Sequence, residues 1–396
     1  MYKNPKVKTC KINSANLLIN TSNSAVVGID DNTYKEYLKI LDDKIIDTEL
    51  FDFLVENEFI SDKNNFTKNH DVSNAYIHVT DRCNLKCNGC YSAGERNDKN
   101  ELALDDIKKV ISNLKSLNLK NIIISGGEPM IRNDLDLVLK NIREELNPEN
   151  LVVITNGTIN NDKLLENILK YIDVLAVSLD TYNSKCEPIL RGEKIFDRIM
   201  EFIDKAKSFG INISILPTIN HKNSDFIAEY TKLSKELNSE ISFSLFTVKP
   251  NDNNKDFVLD KSDLEKIINY YHDHEMNVTD VPLNNSLEGK CNCKTGEELI
   301  SVGTDGSLYP CHMLMEDEFK MGNLLEGDAL DLLIRNTKNS YRITVDEIND
   351  CKNCEYKYLC GGGCRARAYL NTDSIEEKDP FCPMYYGFFE NMFRQF

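Results

Sequence analysis

Thr80-Asp81-Arg82-Cys83-Asn84-Leu85-Lys86-Cys87-Asn88-Gly89-Cys90-Tyr91 follows directly on the apolar run Tyr76–Val79. The run reads as a strand, and the polar segment as the loop at its carboxyl end. Three cysteines separated by three and then two residues offer a metal centre three thiolates. A four-iron cluster held by three thiolates keeps one iron for a ligand from outside the protein. An electron carrier normally caps every iron with cysteine. Zinc is the competing occupant, but a structural zinc closes a tetrahedron of four ligands, typically two close pairs. Apart from Cys186 no further cysteine follows until Cys291, and the nearest histidine, His78, lies on the preceding strand.

Working outward, short β-branched runs alternate with helical periods from Asp71 to Leu245. Strands are expected at Tyr76–Val79, Asn121–Ile124, Leu151–Ile154, Val174–Leu179, Ile211–Leu216 and Ile241–Leu245. Helices are expected at Leu104–Leu117, Leu135–Leu146, Lys163–Tyr171, Ile195–Phe209 and Asp225–Leu237, with a last one near Leu264–His274. Such alternation predicts βα units around a parallel sheet. A full eight-unit barrel takes about 250 residues, so six units fit here. The fold class is therefore α/β: a partial (β/α)6 barrel at 71–284, a small α+β domain at 1–70 and a cysteine-rich domain at 285–396.

Parallel barrels place their chemistry at the carboxyl ends of the strands. Ser125-Gly126-Gly127-Glu128-Pro129 falls there after the second strand. Paired glycines let backbone approach a ligand, and Glu128 offers a carboxylate to an amine. An ordinary strand-to-helix turn would read the same way. Thr155-Asn156-Gly157 follows the third strand and Ser178-Leu179-Asp180 ends the fourth, with Leu190-Arg191-Gly192 beyond it. Asn156 and Asp180 serve equally well as caps of helices or turns.

Eight cysteines crowd the C-terminal region: Cys291, Cys293, Cys311, Cys351, Cys354, Cys360, Cys364 and Cys382. Val302–Cys311 predicts a β-hairpin with an Asp305-Gly306 turn. In a reducing compartment clustered cysteines point to metal rather than disulfides. Eight thiolates suffice for two fully ligated 4Fe–4S clusters. The 396 residues carry 47 basic and 64 acidic side chains, a net charge of −17, which argues against nucleic-acid phosphate as a partner. No apolar run has the length of a membrane span and the first residues lack a signal-peptide core, so a cytoplasmic protein is expected.

The Cys83–Cys90 triplet with Ser125–Pro129 resembles the signature of the radical S-adenosylmethionine (radical SAM) enzymes. The C-terminal spacing from Gly306 onward closely resembles the SPASM domain of family members that modify peptides and proteins. The resemblance implies that Cys83, Cys87 and Cys90 hold a cluster whose open iron chelates S-adenosylmethionine. One electron then releases a 5′-deoxyadenosyl radical that abstracts hydrogen. It further implies that Gly126, Gly127 and Glu128 meet the methionine amine, and that Ser178 and Arg191 reach ribose and carboxylate. Asn156 falls in a third motif of the same subgroup. By resemblance, Cys291, Cys293, Cys311 and Cys364 hold one auxiliary 4Fe–4S cluster, and Cys351, Cys354, Cys360 and Cys382 a second, three in all. The single residue between Cys291 and Cys293 is shorter than the family's usual gap, so the first cluster either is fully ligated or keeps an open iron.

Residues 1–70 read as strands Leu17–Ile19 and Ala25–Ile29, helices Thr33–Leu41 and Thr48–Glu56, and a short strand at Phe59–Ile60. This resembles the winged-helix-like element that captures leader peptides in enzymes maturing ribosomal peptides; a structural cap on the barrel is the plainer reading. The leading expectation is a maturase that abstracts hydrogen from a ribosomally made peptide and installs thioether crosslinks, reduced by ferredoxin or flavodoxin. The alternative is an anaerobic sulfatase-maturating enzyme forming formylglycine. Its general base is an aspartate just after the cysteine of the Gly-x4-Cys motif, a position held here by His312. A third alternative, of another class, is a non-enzymatic iron–sulfur electron carrier or redox sensor. Cys10 and Cys186 stand outside all three ligand sets.

Overall fold

The computed structural model describes residues 2–42, 48–61, 72–92, 101–186, 189–192, 194–251, 253–274, 276–279, 287–336 and 341–394. The expected domain limits at 70/71 and 284/285 lie outside the described residues. Two compact units form: Met1–Asn69, Val281–Cys293 and Ile343–Phe396 make one, and His70–Asp280 with Lys294–Arg342 the other.

The first unit opens with β1 (Tyr2–Lys3), β2 (Val7–Ile12), β3 (Ala15–Asn20) and β4 (Val26–Ile29). β2, β3 and β4 form an antiparallel meander in which Leu18 faces Thr9 on one side and Val27 on the other. Helices α1 (Asp31–Leu41) and α2 (Thr48–Glu56) follow, then β5 (Ile60–Ser61), which pairs back onto β1. The Asp30 carboxylate caps α1 by accepting from the N–H groups of Asn32 and Thr33, both at 2.8 Å. Val7, Leu18, Tyr37, Ile40, Leu54, Phe59 and Ile60 close the core. Strand β2 went unexpected because only its ends, Val7 and Ile12, are buried, and lysines interrupt the pattern between them.

The second unit is the predicted parallel sheet. Strands β6 (Asn74–His78), β7 (Asn121–Ser125), β8 (Asn150–Thr155), β9 (Val174–Leu179) and β10 (Ile213–Ile219) pair in sequence order, all parallel. Between and after them run α3 (Leu104–Asn113), α4 (Leu135–Glu145), α5 (Asp162–Ile168), α6 (Ile195–Ser208), α7 (Ile227–Glu236) and α8 (Lys261–Asp273). The expected sixth strand is split into β11 (Glu240–Ile241) and β12 (Ser244–Leu245), both on β10. The break falls at Phe243, whose backbone bonds instead to Asn277 and Thr279. One sheet face packs into the core and the other opens on a cavity. Ile122, Leu151, Val153, Leu175 and Val177 are fully buried on one face. Ile123, Val152, Ile154, Ala176 and Ser178 alternate with them and line a cavity on the other.

The hairpin predicted at Val302–Cys311 is present as β13 (Leu299–Val302) and β14 (Ser307–Tyr309), and β15 (Gly322–Asn323) adds to it. It extends the barrel sheet, because β13 pairs in parallel with β6, setting Ile300 opposite Ala75 and Val302 opposite Ile77. Helix α9 (Ala329–Arg335) completes this unit. The first unit ends in α10 (Lys357–Cys360), α11 (Arg365–Thr372) and α12 (Cys382–Phe393). Among the described residues no helix is long and apolar enough to cross a membrane.

Candidate metal and cofactor site

A cavity of about 410 Å³ opens at the carboxyl ends of β6 to β10. Cys83, Cys87 and Cys90 all line it, together with Gly126, Gly127, Glu128, Asn156, Ser178, Arg191 and His312. The three barrel cysteines and the expected cofactor contacts therefore meet at one place, whereas Asp180 and Cys186 do not line it.

The cysteine loop is fixed by backbone. The Gly127 N–H donates to the Thr80 carbonyl at 2.6 Å and the Glu128 N–H to that of Arg82 at 2.8 Å. A Cβ on Gly126 would stand 2.3 Å from the Thr80 oxygen, and one on Gly127 2.2 Å from that of Arg82. The paired glycines are thus required by the chain's own loop, whatever ligand they also meet. Glu128 is wholly buried. Its carboxylate accepts from Thr155 Oγ1 and the Asn156 N–H at 2.7 Å and from the Met130 N–H at 3.0 Å. Burial pushes its acid up against those three donors.

Asn156 donates to Asn84 Oδ1 at 2.9 Å and lies 3.8 Å from Cys83 Sγ, tying β8 to the loop. Asp180 accepts from the N–H groups of Leu190 and Arg191 and pairs with the Arg191 guanidinium. The cap reading of Asp180 thus extends to an ion pair that aims Arg191. Burial pushes the Cys87 thiol up to about 11, and the Arg191 charge works against that shift. A second clasp was not foreseen. The Glu101 carboxylate accepts from Thr80 Oγ1 at 2.5 Å and from Arg82 at 2.8 and 2.9 Å, and buried Arg132 joins it at 3.3 Å.

Two aromatic features also escaped the sequence reading. Phe246, beyond β12, packs its ring where a side chain on Gly89 would stand, with Cζ 2.3 Å from the ideal Cβ. Gly89 holds a φ of +61°. His312 is buried and stacks on Tyr76 at 4.1 Å between centroids, with Tyr91 edge-on at 5.8 Å. His78 lies beside Tyr91, and burial together with His312 pulls its imidazole down to about 3.

In the other unit Cys382, Cys354 and Arg365 act electrostatically on the Cys351 thiol, and Cys382 and Cys351 on that of Cys360. Cys293 acts on Cys364 in the same way. Cys291 accepts at its carbonyl from the Val345 N–H, and Cys311 sits just past β14 beside His312. The glycines Gly361, Gly362 and Gly363 all have positive φ, winding the chain tightly between Cys360 and Cys364. Cys10 stands on β2 opposite Leu17, and Cys186 contacts Tyr182.

Iron–sulfur clusters fit these residues better than single ions do. Thiolates around one zinc stand about 3.8 Å apart, as Zn–S bonds near 2.3 Å dictate. Neither the thiols of Cys83, Cys87 and Cys90 nor those of Cys351, Cys354, Cys360 and Cys382 include three within 4.8 Å of one another. Desolvated thiols beside buried cations suit a polynuclear centre that replaces their protons.

The sequence matches the radical SAM superfamily over residues 77–233 and the SPASM iron–sulfur cluster-binding domain over 291–355. The AdoMet-dependent heme synthase of Methanosarcina barkeri is 24% identical over 338 residues, 77% of this chain and 94% of that protein. Among solved structures, anSMEcpe with bound AdoMet and the Kp18Cys peptide superposes with a TM-score of 0.65 at 19% identity, covering 82% of this chain and 98% of its own. Streptococcus suis SuiB bound to precursor peptide SuiA gives 0.64 at 19%, covering 95% and 98%. At that identity the likeness speaks for the fold. The two family matches make the chain an enzyme with a radical SAM domain followed by a SPASM iron–sulfur domain.

Proposed function

We propose that the enzyme is a peptide maturase, abstracting hydrogen from a ribosomally made peptide and closing a thioether crosslink. The observation that carries this reading is the edge strand β4. Among the described residues it pairs only with β3, leaving one side of Val26–Ile29 open to an added strand. A leader peptide held there by main-chain hydrogen bonds would bind with little demand on its side chains. SuiB, whose fold is alike over 95% of this chain, is bound to a precursor peptide.

Cys83, Cys87 and Cys90 would hold the cluster that binds S-adenosylmethionine, with Cys291, Cys293, Cys311 and Cys364, and Cys351, Cys354, Cys360 and Cys382, holding two auxiliary clusters. When bound, these groups would supply a one-electron reductant, a carbon-centred hydrogen abstractor and an electron acceptor. The protein's part is placement. The turn Gly126–Glu128 presents backbone to an amine, Arg191 offers a fixed cation to a carboxylate, and Ser178 a hydroxyl to a ribose. Apolar Ile123, Val152 and Ile154 keep water from the reacting carbon. A low-potential ferredoxin or flavodoxin would deliver the electron.

Formylglycine formation on a sulfatase remains the second reading, favoured by one observation: His312 sits in the cavity wall, where a base would be useful. Reconstituted enzyme with S-adenosylmethionine and dithionite decides between them. A precursor peptide from a neighbouring reading frame should lose two hydrogens and become resistant to thiol alkylation, and the same peptide without its leader should not. Conversion of a sulfatase peptide instead would replace the first reading with the second.

A further inference from the structure

Helix α11 carries two buried arginines, Arg365 and Arg367, exposed by 1% and 3%. Their partners differ in kind. Arg367 Nε donates to Asp379 at 2.9 Å and its Nη2 to the Tyr385 hydroxyl at 2.8 Å, so its charge is neutralised within the protein. Arg365 reaches only carbonyl oxygens. Its Nη1 donates to those of Ile375 and Glu377, both at 2.7 Å, and its Nη2 to that of Gly362. Among the described residues no carboxylate pairs with it, and its Nε–H has no acceptor.

A guanidinium does not lose its proton inside a protein, so this charge is present and out of water. Carbonyl dipoles solvate it in part, but a buried cation calls for an anion. The Gly362 carbonyl it holds lies in the tight turn between Cys360 and Cys364, and Arg365 itself follows Cys364 on α11, so the buried charge sits among cysteines. Its electrostatic partner there is Cys351, which Lys378 also faces, and Cys351 in turn interacts with Cys354, Cys360 and Cys382. A four-iron cluster with four thiolates is negative in both oxidation states and more so when reduced. Hydrogen bonds to its sulfurs and nearby charge set its potential.

We infer that Arg365 is the counter-ion and N–H donor of a cluster held by Cys351, Cys354, Cys360 and Cys382, and that it raises that cluster's reduction potential. This rests on the auxiliary-cluster reading above. The positive charge favours the more negative, reduced form, so its removal must lower the potential. Arg367, already paired to Asp379, exerts no such net charge.

The test uses the full chain, reconstituted anaerobically and titrated with dithionite under paramagnetic resonance. Each cluster takes one electron from dithionite, and the signal missing in Cys360→Ala identifies the relevant one. In Arg365→Met that signal should become at least tenfold harder to reduce, about 59 mV for a one-electron couple. Arg365→Lys should shift it less, and the signal perturbed by S-adenosylmethionine should not move. Wild-type protein labelled with 15N-arginine should show nitrogen hyperfine coupling on the identified signal, lost in Arg365→Lys. That measurement decides alone if the methionine variant does not fold. A signal that is present, unshifted and uncoupled overturns the role of Arg365 and leaves the cluster standing. No signal lost in Cys360→Ala, with iron unchanged, overturns the cluster reading and this inference with it.

Discussion

The two groups of cysteines are held in opposite ways. Cys83, Cys87 and Cys90 lie on an irregular loop along an open cavity, braced by two glycines and by Glu101, Arg82 and Arg132 behind it. Cys360, Cys364 and Cys382 are bound into a knot of buried charge. Asp379 accepts from the Cys364 N–H at 2.6 Å, from Arg367 and from the Phe381 N–H, and its own carbonyl accepts from the Cys382 N–H. One arrangement leaves an open cavity beside its thiols, and the other ties the backbone of its cysteines to a single buried aspartate. A site that binds and releases a molecule each turnover needs the first, and a permanent electron acceptor needs the second.

The largest expected contrast follows from this. Cys87→Ala should abolish 5′-deoxyadenosine formation outright. Cys360→Ala should keep deoxyadenosine formation while losing crosslinked peptide. Iron should fall in each from about twelve per chain to about eight, four for each cluster lost. Equal loss of deoxyadenosine in both variants would erase the division of labour between the groups.

Next in size is the buried pair. Arg367→Met leaves Asp379 charged, buried and short of its strongest donor, which costs about 3–5 kcal/mol. The first unit, which holds both residues, should unfold at lower urea, measured with the clusters in place, while binding of S-adenosylmethionine to folded protein stays unchanged. A cost below about 1 kcal/mol, the range of an exposed pair, would show that the knot is looser than its burial implies.

How much of this was legible beforehand depended on sequence distance. The barrel strands announced themselves because period-two apolar runs recur between helical periods, and the cysteines because metal ligands cluster by spacing. The split of the sixth strand was hidden, since it is made by Phe243 bonding to Asn277 and Thr279. The docking of β13 on β6 was hidden too: Leu299 and Asn74 are far apart in the chain, and nothing in a hairpin's pattern names its neighbour. Phe246 against Gly89 and Arg132 on Glu101 are missed for the same reason. The sequence reading saw Glu128 as a group for a ligand's amine, while the structure gives both its oxygens to Thr155, Asn156 and Met130.

The glycines sharpen the contrast at smaller scale. Gly89→Ala and Gly363→Ala both place a side chain at positive φ, +61° and +73°, for about 1–2 kcal/mol. The new methyl of Gly89→Ala meets the far edge of the Phe246 ring, which can move into the cavity. That of Gly363→Ala meets Asp379 Oδ2 at 2.6 Å and Tyr385 at 2.9 Å, inside the knot. Gly363→Ala should therefore lower the melting temperature more, and Gly89→Ala should weaken S-adenosylmethionine binding more. Adding Phe246→Leu should restore part of the affinity lost in Gly89→Ala. If it does not, the ring is not what the methyl displaces.

The smallest effect belongs to a charged pair on the rim beyond β10. His221 Nδ1 lies 2.7 Å from Asp263 Oδ2, with the imidazole 51% exposed and the carboxylate buried. The hydrogen bond and charge of Asp263 raise the His221 pKa. Burial works against the Asp263 anion, but Ser224, the Asp260 N–H and His221 together hold its pKa below the usual carboxylate range. A raised imidazole stabilises the fold below its unfolded value near 6.5, and that contribution is lost as pH rises through the folded value. A lowered carboxylate stabilises above its unfolded value near 3.9, and is lost as pH falls through the folded one. The pair thus contributes most between about pH 4 and 6.5, at less than about 1 kcal/mol because water screens the imidazole. His221→Ala should flatten the alkaline side of the urea-midpoint profile and keep the acid side, where Ser224 and the helix cap still hold Asp263. Loss of both sides would mean that His221 orders the start of α8, a role the buried pair of Arg367 and Asp379 fills in the other unit.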